Sequence, residues 1–74
     1  VLARRRQFDT ARTHYQQAVA LDPRDAAARA GYGYILFLTG QRAEALAQWT
    51  EALRLDPEVP GLRERVARLR AANP

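Results

Sequence analysis

The chain has 74 residues, enough for one small domain, and carries a formal charge of +4. It has no cysteine, which excludes disulfides and thiolate-ligated metals, and its 12 cationic residues are all arginine. Eight acidic residues are interspersed with the arginines, and Arg4-Arg5-Arg6 is the sole cationic run. That distribution reads as a solvated surface of a GC-rich, bacterial-type composition, with nucleic-acid binding as a minor alternative.

A domain this short draws its stability from tight helix packing, self-association or attachment to a longer chain. The start at Val1 reads as a piece of a longer or processed chain. The longest apolar cluster, Tyr32 to Leu38, falls far short of the roughly 18 residues of a bilayer span, so no membrane insertion is expected. No apolar stretch of signal-peptide length follows the first arginines. The expectation is a soluble protein, cytoplasmic or periplasmic, with the compartment unread.

Turn and cap signals divide the chain into about four helices, near 8–21, 25–39, 42–55 and 60–71. In the first, Phe8, Ala11, Tyr15, Ala18 and Val19 fall on one stripe. Leu21-Asp22-Pro23 ends it, because proline lacks an N–H and disfavours helix in the residue before it. Asp25 is placed to cap the second helix. That helix is small and apolar over Ala26 to Ala30, then large and apolar on nearly all sides to Leu38, which implies burial on more than one face. Gly31 and Gly33 each cost about 1 kcal/mol against alanine in a helix interior, and close packing at Gly33 is the expected offset. Gly40 suits a left-handed C-terminal cap.

The third helix repeats the stripe with Ala45, Leu46, Trp49, Ala52 and Leu53, and Leu55-Asp56-Pro57 ends it. Pro60 is expected in the first turn of the last helix, where a missing N–H costs nothing. Leu62, Val66 and Leu69 share one face of that helix, and Arg63, Glu64, Arg65, Arg68 and Arg70 the other. Glu64 and Arg68, four apart, are expected to pair.

The chain matches itself at an offset of 34 residues. Ala18, Leu21, Asp22 and Pro23 fall on Ala52, Leu55, Asp56 and Pro57; Gln7 falls on Gln41, Ala11 on Ala45, Leu2 on Leu36, Tyr15 on Trp49 and Arg29 on Arg63. The period, with the run Gly40-Gln41-Arg42-Ala43-Glu44-Ala45-Leu46, Trp49 and Ala52-Leu53-Arg54-Leu55-Asp56-Pro57, resembles the tetratricopeptide repeat family. Arg29 stands where the family has a bulky aromatic residue, Tyr32 where leucine is common and Leu36 where tyrosine is common.

The resemblance implies an all-α fold of antiparallel helix-turn-helix repeats stacked as a short right-handed α-solenoid. Residues 1–74 would form one such domain: the second helix of a first repeat over 7–23, a complete repeat over 25–57 and a capping helix over 59–72. A remnant of the first repeat's other helix would lie at Val1 to Arg5. The implied function is a non-catalytic scaffold that holds a partner protein or peptide in an apolar groove, without a cofactor. Carried over residue by residue, that groove presents Ala27, Ala30, Tyr34 and Phe37, joined by Gly61, Glu64 and Arg68 from the last helix. Some members clamp a carboxylate tail with lysine and asparagine. Ala30, Gly31 and Tyr34 occupy that stretch here, so an apolar or aromatic peptide is the expected ligand.

The alternative is a homodimer. The first helix lacks the helix that would cover it, which would leave Phe8, Tyr15 and Val19 partly exposed for self-association. Catalytic and metal chemistry find no constellation. His14 is a lone histidine, Gly31-Tyr32-Gly33 has no third glycine in register, and no base is arranged around Thr10, Thr13, Thr39 or Thr50. Asp22 and Asp56 are repeat-equivalent turn residues rather than an acid/base pair.

Overall fold

Four helices carry the fold: α1 (Leu2–Leu21), α2 (Ala26–Leu38), α3 (Arg42–Leu55) and α4 (Leu62–Ala72). The computed structural model describes residues 2–72, with side chains from Arg6 onward, and no strand occurs among the described residues. The main packing runs in chain order, α1 on α2, α2 on α3 and α3 on α4. Each helix is thus held chiefly by its sequence neighbours, the arrangement of a stacked helical repeat.

The two Asp-Pro turns are copies of each other. At each, the aspartate N–H continues the helix ladder, from Asp22 to Ala18 (3.0 Å) and from Asp56 to Ala52 (2.8 Å). Each aspartate carboxylate accepts the N–H two residues on, from Arg24 at 3.2 Å and from Glu58 at 2.9 Å. An arginine then closes each turn by donating to the proline carbonyl: Arg29 to Pro23 at 2.8 Å, Arg63 to Pro57 at 3.0 Å. Arg29 thereby gains a structural task in place of the bulky aromatic, and its guanidinium also donates to Gln48 of α3 at 3.0 Å.

The helices that follow the turns start differently. Asp25 caps α2, its carboxylate accepting the Ala28 N–H at 3.1 Å. Val59 stands at the equivalent position before α4 and has no side-chain acceptor. The chain instead turns through Gly61, whose φ of +72° only glycine adopts without strain, and α4 begins at Leu62. Pro60 therefore lies in the turn and not, as expected, in the first turn of the helix. At the other end, α1 runs from Leu2 rather than from near residue 8, because no proline, glycine or capping signal interrupts it. Leu2 to Arg5 belong to that helix and are no remnant of a separate one; Val1 lies outside the described residues.

Gly40 ends α2 with φ +85°. Its N–H donates to Phe37 and that of Gln41 to Leu36, the paired bonds of a left-handed glycine cap. The tight turn returns the chain antiparallel as α3.

The core is built on Trp49, with Ala52, Leu62, Val66 and Leu69 buried around it. The Trp49 indole lies across Gly33: a β-carbon there would stand 2.5 Å from the ring. Its Nε1–H donates to the Ala30 carbonyl at 3.0 Å, so the polar end of the ring is satisfied. Burial of Leu62, Val66 and Leu69 on one face of α4 follows the sequence stripe. Glu64 and Arg68 are not paired; their shared face is wet and neither stands within ion-pair distance of the other.

Candidate functional site

Alternation along α2 sends its tyrosines to opposite sides. Tyr32 faces α1, where its hydroxyl accepts a hydrogen bond from Gln16 at 3.1 Å. Tyr34 faces α4 and stays 43% exposed. Between α2 and α4 runs a trough lined by Tyr34, Phe37, Trp49, Arg65, Arg68 and Leu69, with Arg42 at the start of α3 and Ala72 completing the wall. Trp49 forms its buried floor. Phe37 meets that indole at 5.7 Å between ring centroids, tilted by 37°. The Arg65 guanidinium carbon sits 5.0 Å from the Tyr34 ring centroid and 5.8 Å from that of Trp49, within cation–π range of both.

The structure brings Tyr34, Phe37 and Arg68 together in this trough. Ala30 lines a smaller depression that continues it and shares Tyr34, Trp49 and Arg65. Ala27 is exposed on the first turn of α2 and is not part of the trough wall. Gly61 and Glu64, expected on the groove, line a separate depression beside the turn at Pro57 to Pro60. Arg65 and Arg42 were missed. Arg65 could have been found, since it stands three residues before Arg68 on one face of α4. Arg42 carried no such signal, because only the α2–α3 turn brings it round.

The charges are one-sided. No aspartate or glutamate lines the trough. Among the described residues, the guanidinium groups of Arg42, Arg65 and Arg68 donate no hydrogen bond and pair with no carboxylate. Other arginines are engaged: Arg12 with Asp9 at 3.7 Å, Arg54 with Glu51, and Arg63 with Glu58 at 3.9 Å. The hydrogen bond from Arg54 holds the Glu51 carboxyl below its ordinary value and raises that of Arg54 itself.

On α1, the residues Phe8, Ala11, Tyr15, Ala18 and Val19 are half-buried, and none of the described ones is fully buried. Tyr15 packs its ring against Gly31 of α2. A shallow depression on the helix is lined by Arg6, Gln7, Thr10, Ala11, His14 and Tyr15; Phe8 and Val19 do not contribute to it. His14 meets Tyr15 edge-on, and no cluster of metal-ligating side chains occurs among the described residues. Nor is any helix among them long and apolar enough to cross a membrane.

Antiparallel helices stacked at a 34-residue spacing, with a trough between alternate members, define a helical-repeat protein. A model of the tetratricopeptide repeat matches residues 1–60, and the chain belongs to that family. The matched span ends before α4. No protein of curated function matches the sequence. The repeat generally mediates protein–protein interaction and is typically non-catalytic.

Proposed function

We propose that this chain is a non-catalytic adaptor that holds a segment of a partner protein in the trough between α2 and α4. The observation that carries the reading is Tyr34. It is a large aromatic left 43% exposed beside Phe37, on a floor of buried tryptophan. Aromatic residues of this kind dominate interface energetics, since they bury much area for few rotors. Peptides selected from a random library on the immobilised chain test it. Tyr34→Ala is expected to weaken the selected binders about tenfold, near 1.4 kcal/mol, whereas His14→Ala leaves them unchanged. Binders insensitive to Tyr34→Ala and lost on His14→Ala would overturn the reading.

A second reading, self-association through α1, draws on the depression around Ala11 and Tyr15. The residues proposed for it are Phe8, Tyr15 and Val19, with Tyr15 the one that reaches the depression. Light scattering over a concentration series decides it. A dimer that Ala11→Asp converts to monomer supports this reading, and a strictly monomeric wild type ends it.

A further inference from the structure

Three arginines converge on the trough from two helices, and what they face is open. Arg65 stands at the level of Tyr34, Arg68 lies one turn further along α4, and Arg42 begins α3 beside Phe37. Each is exposed, none has an acidic partner among the described residues, and the wall between them contributes no carboxylate. Arg12, Arg54 and Arg63 each find a carboxylate within a few residues. Arg24 and Arg70 have none among the described residues but stand outside the trough, so what distinguishes Arg42, Arg65 and Arg68 is that they share one concave wall. Six of the eight acidic residues are engaged elsewhere: Asp22, Asp25, Asp56 and Glu58 accept hydrogen bonds or pair at the turns, and Asp9 and Glu51 pair along their own helices. The other two, Glu44 and Glu64, are exposed in the first turns of α3 and α4 and do not line the trough. Like charges gathered in one concave site raise its potential and favour an anionic occupant.

Resting on the trough as the binding site, we infer that its occupant is an internal acidic segment of a partner protein, with spaced carboxylates flanking a bulky apolar side chain. The apolar side chain fits between Tyr34 and Phe37. The carboxylates meet the planar guanidinium forks, which match carboxylate geometry in paired hydrogen bonds. Arg65 stays stacked on Tyr34 while it does so, because its N–H edge remains free when its face is covered. Three separate cations, drawn from two helices, suit several side-chain carboxylates along a segment better than a single terminal one. The sequence alone led to an apolar or aromatic ligand; the arginine geometry adds the acidic half of the specification.

The test uses the whole chain and three short fluorescent peptides with blocked ends. They share a central phenylalanine and leucine and differ only in flanks of glutamate, glutamine or lysine. By fluorescence anisotropy, the glutamate peptide is expected to bind at least about tenfold more tightly than the glutamine peptide, with affinity that falls as salt rises. The lysine peptide is expected not to bind. Arg42→Gln and Arg68→Gln should each weaken the glutamate peptide several-fold, while Arg70→Gln, on the outer face of α4, leaves it unchanged. Circular dichroism of each variant confirms the helices are intact, and Arg42, at an exposed helix start, is the substitution least able to disturb them.

Equal binding of the glutamate and glutamine peptides, lost on Tyr34→Ala, overturns the acidic preference and leaves the trough reading standing. Failure of every peptide, or binding unaffected by Tyr34→Ala, overturns both. Tighter capture of a single-stranded oligonucleotide, sensitive to the same arginines, would replace the acidic peptide with a nucleic-acid ligand.

Discussion

Helices α1 and α3 are sequence copies offset by 34 residues, yet they live in different surroundings. In α3, Ala45, Trp49 and Ala52 are buried, because α2 closes one side and α4 the other. The equivalent Ala11, Tyr15 and Ala18 of α1 are half-buried, packed chiefly against α2. The same stripe is thus a core in one helix and a surface in the other. The number of neighbouring helices, not the residue pattern, sets how much apolar area leaves water.

Truncating the equivalent aromatics should break the comparison most visibly. Trp49→Ala is expected to cost about 3–5 kcal/mol, enough to abolish much of the helical circular dichroism of so small an array. Tyr15→Ala should cost markedly less, about 1–2 kcal/mol, because its ring is half in water already. Urea titrations of both variants give the ratio. Equal losses would mean that α1 is covered in solution.

The two helix glycines sharpen the contrast next. Alanine at either position gains about 1 kcal/mol of helix propensity. At Gly33 the new methyl group would meet the walled-in Trp49 indole at 2.5 Å and the Ala45 carbonyl at 3.2 Å, so overpacking wins. A net loss of about 1–2 kcal/mol is expected. At Gly31 the obstacle is the outer end of the Tyr15 ring, which can swing toward solvent. Gly31→Ala should be neutral or stabilising by up to about 1 kcal/mol. The thermal midpoint should therefore fall for Gly33→Ala and hold or rise for Gly31→Ala.

Capping separates α2 from α4 in the same manner. Asp25→Ala should cost about 1 kcal/mol, since the Ala28 N–H loses its acceptor. Val59 holds no such bond, so Val59→Ala should cost only its share of packing against the core. Hydrogen exchange at the first turns of α2 and α4 reads this locally.

The smallest expected effect concerns Glu51 and Arg54, whose counterparts in α1 are Gln17 and Ala20. The pair lowers the Glu51 carboxyl below its ordinary 4.5. A carboxyl depressed in the folded state contributes stability above that value and loses it as pH falls through the folded one. Glu51→Gln should remove that slight contribution at neutral pH and leave stability unchanged once pH has fallen below the folded value, so the acid limb of a stability-against-pH profile becomes slightly flatter. The pair is exposed, so the difference is expected to be slight.

Much of this molecule was legible in its residues. The Asp-Pro pairs, Asp25 and Gly40 carry their turn and cap chemistry locally, so the ends of α1 and α3 and both termini of α2 could be placed within a residue or so. The α4 face of Leu62, Val66 and Leu69 followed from helical period alone. The start of α4 was misplaced because Val59 and Gly61, not Pro60, govern the entry, and a glycine's positive φ leaves no apolar signature. Of the groove residues, Tyr34, Phe37 and Arg68 meet in one trough, and Ala30 borders it through residues shared with that trough.

What the sequence by itself determined was local: period, caps, breaks and the apolar side of each helix, all set by backbone geometry within a few residues. Tertiary structure decided the rest. It fitted Trp49 to Gly33, gave Arg29 and Arg63 the proline carbonyls to hold, and turned Arg42, Arg65 and Arg68 toward one trough with no carboxylate among them. Those outcomes depend on how separate helices cross and return, and no window of a few residues contains that information.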